Sequence, residues 1–193
     1  MFSSRSSDNH WHFQHLQNFT RRIFVIKEVK KFRKPAVIDF CDEIDHICYR
    51  VESKKEYKNM CQNISKWGEL LIESPINGRL ISAYRSSKEI HLYKKYSTNL
   101  IEIPSPKDSF FYPSGFEHFE VVSKISLEDL IDRFPSLQWN TKNLKLQRNR
   151  SISLKFEKYC VKFHEDSLEK IIRKELSANS QNRCLNRFRP SSQ

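Results

Sequence analysis

DHICYRV, residues 45–51, alternates in polarity residue by residue, and its reading decides the fold. Strand geometry puts His46, Cys48 and Arg50 on one side and Ile47, Tyr49 and Val51 on the other. The next segment, KKEYKNMCQNISKWG (54–68), changes period: Tyr57, Met60, Cys61, Ile64 and Trp67 recur at helical spacing, and Gly68 stops the helix. ELLIESPI (69–76) and RLISAYR (79–85) flank Asn77-Gly78, the strongest short hairpin signal, and NLIEI (99–103) adds a strand closed by Pro104 and Pro106. The order is strand, helix, then three strands.

The same order returns downstream. FEHFEVV (116–122) alternates with His118 and Glu120 on one side and Phe119 and Val121 on the other. SLEDLIDRF (126–134) opens with a serine cap and an acidic first turn, the signature of a helix start. LQWN, NLKLQ, SISLKF and YCVKFH supply strands between 137 and 164, and EDSLEKIIRKELSA (165–178) reads as a closing amphipathic helix. The pattern predicts an α+β chain of two βαβββ modules, about 42–108 and 112–178, in one domain spanning 36–178. Residues 1–35 read as a basic extension with a helix over 14–33, ended by Lys34-Pro35, and 179–193 as a flexible polar tail.

Composition excludes several function classes. Only three glycines occur, too few for a glycine-rich phosphate loop. Five cysteines without a CxxC pair define neither a disulfide scaffold nor a zinc ribbon, so reduced thiols in a cytoplasmic protein are expected. No apolar run approaches the ~20 residues that span a bilayer, so no membrane partner is expected. The start MFSSRSSDNHWHFQHLQN has no apolar core of a secretory signal, though its basic, serine-containing character leaves an organellar destination as the alternative. A net charge of +11 favours anions, but the excess lies in flanks such as 21–34, which read as solvated segments rather than as a nucleic-acid surface. His10, His12 and His15 fall in the same start, and nothing in the sequence sets the oligomeric state.

The blocks DHICYRV, GELLIESPINGRLI, LIEIPSPK, GFEHFEVV and VKFHEDSLEKII, in this order over roughly 42–178, resemble the YecM family of the vicinal oxygen chelate superfamily. The resemblance implies two βαβββ modules whose sheets curl around a shared cleft, with metal ligands on the first and last strands of each. Carried onto this chain, those positions are His46, Glu102, His118 and a residue of YCVKFH. There the pattern departs: Lys162 stands opposite Glu102, and His164 lies two residues on, on the same face.

Two histidines and a carboxylate form a nitrogen and oxygen set suited to Zn, Ni, Mn or Fe(II), with open positions for substrate. His46, Glu102, His118 and His164 are therefore the expected metal ligands, and Glu120 the expected catalytic carboxylate or spare ligand. Asn77, Arg79 and Lys162 are expected to bind a small, anionic, oxygen-bearing substrate. Either His164 is the fourth ligand, with Lys162 turned away, or Lys162 pairs with Glu102 in a metal-free pocket. The functions expected are a metal-dependent lyase, isomerase or dioxygenase, or else a non-catalytic small-ligand module of the same fold; a basic nucleic-acid-associated protein is the third alternative.

Overall fold

In the computed structural model, the residues described are 37–93, 96–108, 111–147, 149–155 and 160–187. After a short 3-10 turn, the chain forms β1 (Cys41–Arg50), α1 (Lys54–Ile64), β2 (Gly68–Ile76), β3 (Arg79–Tyr93) and β4 (Tyr96–Pro104). It then repeats the order with β5 (Gly115–Ser123), α2 (Leu127–Arg133), β6 (Trp139–Asn140), β7 (Ser151–Lys155) and β8 (Cys160–His164), and ends in α3 (Leu168–Arg187). Serine caps start the first two helices. Ser53 Oγ accepts from the Glu56 amide at 3.1 Å, and Ser126 Oγ from that of Asp129 at 3.0 Å. The β2–β3 turn has Asn77 at φ 50 and Gly78 at φ 77, the twist-matched hairpin turn that needs two positive angles.

All eight strands belong to one curled sheet in the order β2-β3-β4-β1-β5-β8-β7-β6. Each module contributes four strands with its first strand innermost, β1 beside β4 and β5 beside β8, both pairs parallel. The antiparallel β1–β5 pair joins the modules about an approximate two-fold. Strand alternation then splits the sheet chemically. Ile47, Tyr49, Ile101, Ile103, Phe119, Val121, Val161 and Phe163 lie in a buried core with Tyr57 and Ile64 of α1 and Leu127 and Leu130 of α2. Burying each such side chain contributes roughly 1.5–3 kcal/mol. The opposite face of the inner strands carries His46, Cys48, Arg50, Glu102, His118, Glu120, Lys162 and His164, the polar side of the curled sheet, where the resemblance expects the cleft.

Local expectations change at several points. β1 begins at Cys41 rather than Asp45, and β3 runs on to Tyr93, well past Arg85. NLKLQ (143–147) is turn rather than strand: Asn143 bonds Ser151, the guanidinium of Arg150 bonds the Leu144 carbonyl, and these local bonds replace a ladder. The last helix continues to Arg187, into the stretch expected as a loose tail. The helix expected over 14–33 lies outside the described residues, as do His10, His12 and His15.

Candidate functional site

The two inner strands each carry an acid–histidine dipeptide, Asp45-His46 and Glu117-His118, at a bulge. Ile44 pairs with Val121 and His46 with Glu120, so Asp45 is an extra residue on β1. Cys48 pairs with His118 and Tyr49 with Phe116, so Glu117 is an extra residue on β5. A bulge re-aims a side chain that strict alternation would send to the other face. Here it brings each acid beside its own histidine. His46 Nδ1–H donates to Asp45 Oδ2 at 2.9 Å, and Glu117 Oε2 lies 3.8 Å from His118 Nδ1. A histidine tied at Nδ1 presents Nε2 as its free nitrogen.

Both Nε2 atoms point to the middle of the cleft. His46 Nε2 lies 3.5 Å and His118 Nε2 3.0 Å from Glu120 Oε1, and His118 Nε2 is 4.0 Å from Glu102 Oε2. One ligand atom from each of His46, Glu102, His118 and Glu120 falls within 4.8 Å of the others. Ligand bonds of about 2.0–2.2 Å set such atoms roughly 3–4 Å apart, so the four could hold one divalent ion. Cys48 forms a second such group with Glu117 and His118, but burial pushes its thiol up and disfavours the thiolate ligand.

Electrostatics agree with the geometry. Asp45, Glu102, Glu117 and Glu120 bring four carboxylates against two permanent cations, Lys162 and Arg50, leaving a formal excess of two negative charges. Without an external cation, protons answer for it. Burial alone would lower His46, yet the Glu120 carboxylate, with Asp45, lifts it to about 10. Burial opposes ionisation of Glu120 as well, but His46 and Lys162 hold it well below the usual carboxylate range. The His118 ring, its Nδ1 3.8 Å away, lowers Glu117 to about 2 against the opposing effect of burial. For His118 two effects compete. After the opposing effect of burial, its anionic neighbours favour a second proton, yet the Lys162 ammonium stands 3.0 Å from Nε2. Nε2 lies 3.0 Å from Glu120 Oε1 as well, so it donates to that carboxylate when protonated and accepts from the ammonium when not, while Nδ1 faces Glu117. His46 Nε2 is buried with no hydrogen-bond partner.

Lys162 holds the position that the approximate two-fold relates to Glu102. Glu102 pairs with Cys48, two residues after His46, and Lys162 pairs with Glu120, two residues after His118. Its ammonium bonds Glu120 Oε1 at 2.7 Å, whereas one alternative from the sequence turned it away and the other paired it with Glu102. Despite its burial, Glu120 pushes Lys162 up rather than towards the neutral form. His164 lies on the same face with Nε2 against Glu120, outside the group of four, and lines a cavity of about 380 Å³ with Arg150, Asn149 and Lys174. Asn77 is exposed at the hairpin tip and is not brought to the cluster. Arg79 shares the cleft face but bonds the Tyr112 hydroxyl at 3.3 Å and the Ser105 carbonyl at 3.4 Å. Asp45, Glu117, Arg50 and Tyr112 were not singled out from the sequence; the repeated acid before histidine, DH and EH, was the available signal for the first two.

Paired βαβββ modules sharing one sheet, with an acid–histidine dipeptide on the first strand of each, are the class that fold and site define. The chain belongs to the YecM family, whose match runs over residues 9–175. It is 27% identical over 168 residues to an uncharacterised protein of Haemophilus influenzae, covering 76% of this chain and 87% of that one. It is 26% identical over 149 residues to Protein YecM of Escherichia coli, covering 69% and 79%. Among solved structures, a structural-genomics protein, EC4020, matches with a TM-score of 0.68 at 22% identity over 91% of this chain and 97% of that one, a likeness of fold. Among the described residues no helix is long and apolar enough to cross a membrane.

Proposed function

We propose that the chain is a metal-dependent enzyme of the vicinal oxygen chelate type, a lyase, isomerase or dioxygenase acting on a small oxygen-bearing substrate. The observation that carries this reading is the convergence of two histidine Nε2 atoms, one ring hydrogen-bonded at Nδ1 by Asp45 and the other facing Glu117 at 3.8 Å, with His46 Nε2 buried and without a hydrogen-bond partner. Metal-bound histidines commonly have this support. His46, Glu102, His118 and Glu120 would hold the ion, and a divalent metal there (Zn, Ni, Mn or Fe) would polarise a substrate oxygen.

The chain's own groups divide the remaining work. Asp45 and Glu117 fix the two rings. Glu102, with 18% of its side chain accessible, is the least enclosed of the four and marks the side from which substrate enters. Glu120, fully ionised and held by Lys162 and His164, suits a fixed anionic ligand better than a base, because a carboxylate this far below its usual range accepts a proton poorly. Lys162 is placed to donate a hydrogen bond to a substrate oxygen once that oxygen enters the cleft.

Lys162 in the fourth ligand position favours a second reading, a metal-free ligand-binding module whose built-in cation is the lysine. The test is binding of acetohydroxamate, a bidentate oxygen chelator, to Mn(II)-loaded protein, followed by electron paramagnetic resonance. Metal dependence predicts a changed Mn(II) signal in the wild type and none in Glu102→Ala. Equal binding to metal-stripped protein supports the module, and binding to neither form removes both readings.

A further inference from the structure

Among the described residues, five buried side-chain nitrogens have no hydrogen-bond partner: His46 Nε2, both ring nitrogens of His164, Arg50 Nε and Arg79 Nε. All belong to residues of the cleft face. Buried polar groups are nearly always paired, so an unpaired one marks a place where a partner arrives. The two histidine Nε2 atoms face Glu120 as ion-pair neighbours in the site already described; the two arginines lie outside it. They meet at Tyr112. Arg50 Cζ lies 4.3 Å from the centre of the Tyr112 ring, and Arg79 Nη1 donates to its hydroxyl at 3.3 Å. Two guanidinium groups are thus held around one aromatic side chain in half-buried surroundings, where like-charge repulsion and desolvation cost more than at the open surface.

Their charge is only partly answered. Arg50 bonds Glu117 Oε1 at 3.2 Å, while Arg79 has no carboxylate within ion-pair distance among the described residues. An arginine kept for structure alone would be expected to satisfy Nε and to pair its charge. The guanidinium is planar, weakly hydrated and always charged, and its donors match the two oxygens of a carboxylate or phosphate. The location is also specific. Arg50 stands two residues beyond Cys48, which pairs with both Glu102 and His118, so its backbone is about 7 Å along the strand from the ligand row.

We propose that Arg50 and Arg79, set about Tyr112, form a receptor for the carboxylate or phosphate group of the molecule that the cleft binds. The substrate class is then a small organic anion whose charged group lies about 7 Å or more from the oxygen presented to His46, Glu102 and His118. This rests on the function proposed above for where the reacting oxygen lies; the anion receptor itself stands without a metal.

The experiment is calorimetric titration of the full-length protein with malonate and, separately, with inorganic phosphate, each before and after metal removal. Binding of malonate alone assigns a carboxylate, of phosphate alone a phosphate. Arg79→Gln is expected to weaken the bound anion by about 10-fold or more, the scale of one charge-assisted hydrogen bond. Arg79→Lys keeps the charge, protects folding and loses the fork, and is expected to fall between the two. Metal content should stay the same in both variants. Wild-type protein that binds neither anion, or an Arg79→Gln variant that folds and binds as the wild type does, overturns the proposal. Anion binding in a chain that takes up no metal leaves the receptor standing and removes the metal-dependent function instead.

Discussion

Replacing Lys162 with methionine keeps much of the volume and removes the cation from the centre of the site. In the metal-free protein this strips Glu120 of its 2.7 Å partner and His118 Nε2 of its 3.0 Å donor. Breaking a buried ion pair costs about 3–5 kcal/mol, because the remaining charge is left uncompensated. Lys162 retains 32% of its side-chain accessibility although its ammonium lies among buried groups. Cleft water can reach Glu120 once the ammonium is gone, so the expected loss is at the lower end, about 3 kcal/mol. For a chain of this size that is about 6–12 °C in melting temperature. A divalent cation should then do what the lysine did: at a thousand-fold excess over its Kd, a ligand of the folded state restores about 4 kcal/mol. The assay is thermal unfolding by circular dichroism, with chelator and with Mn(II), Ni(II) or Zn(II). The account requires a marked drop in Lys162→Met with chelator and recovery with metal. An unchanged melting temperature with chelator, or a drop that no divalent metal repairs, refutes the reasoning.

Other consequences follow from the same geometry. Asp45→Asn removes the carboxylate from His46 Nδ1 and weakens the acceptor for the Leu168 amide at the start of α3; metal affinity should fall about 10–100-fold by competition titration, with a modest loss of stability. Lys162→Glu places a carboxylate at the position related to Glu102, and should bind metal more tightly than the wild type while melting lower with chelator. Metal-free protein should show a pH dependence set by His46. Its pKa rises on folding from 6.5 to about 10, so the stabilisation is complete below about 6.5 and is lost as pH climbs through 10. Melting temperatures at pH 6, 8 and 10 should therefore fall, less steeply in His46→Gln. In the core, Leu130→Ala beneath the sheet should cost about 2–5 kcal/mol by denaturant unfolding.

Much of this architecture was legible because strand alternation and helical spacing are local. The separation of His46, Cys48 and Arg50 from Ile47 and Tyr49 is present in seven letters, and the same holds for His118 and Glu120 against Phe119 and Val121. The Asn77-Gly78 turn needed no tertiary knowledge either. What escaped depends on neighbours. NLKLQ alternates as a strand would, but Asn143, Leu144 and Arg150 find local hydrogen bonds, and the ladder never forms. The bulges at Asp45 and Glu117 exist only when β1 and β5 pair, so the acid–histidine dipeptides had no visible geometry. The partner of Lys162 was hidden for a similar reason: pairing β8 with β5 puts Lys162 beside Glu120, whereas Glu102 belongs to the other module. Arg50 and Arg79 lie 29 positions apart in sequence and meet only through Tyr112.

The central claim is that His46, Glu102, His118 and Glu120 are a metal centre. Elemental analysis of the protein purified without added metal or chelator, alongside His118→Ala prepared identically, tests it most directly. The account predicts about one equivalent of a divalent transition metal per wild-type chain, reduced to a small fraction in the variant. Wild-type protein that carries no such metal and takes none up on titration, or a His118→Ala variant that retains a full equivalent, contradicts it.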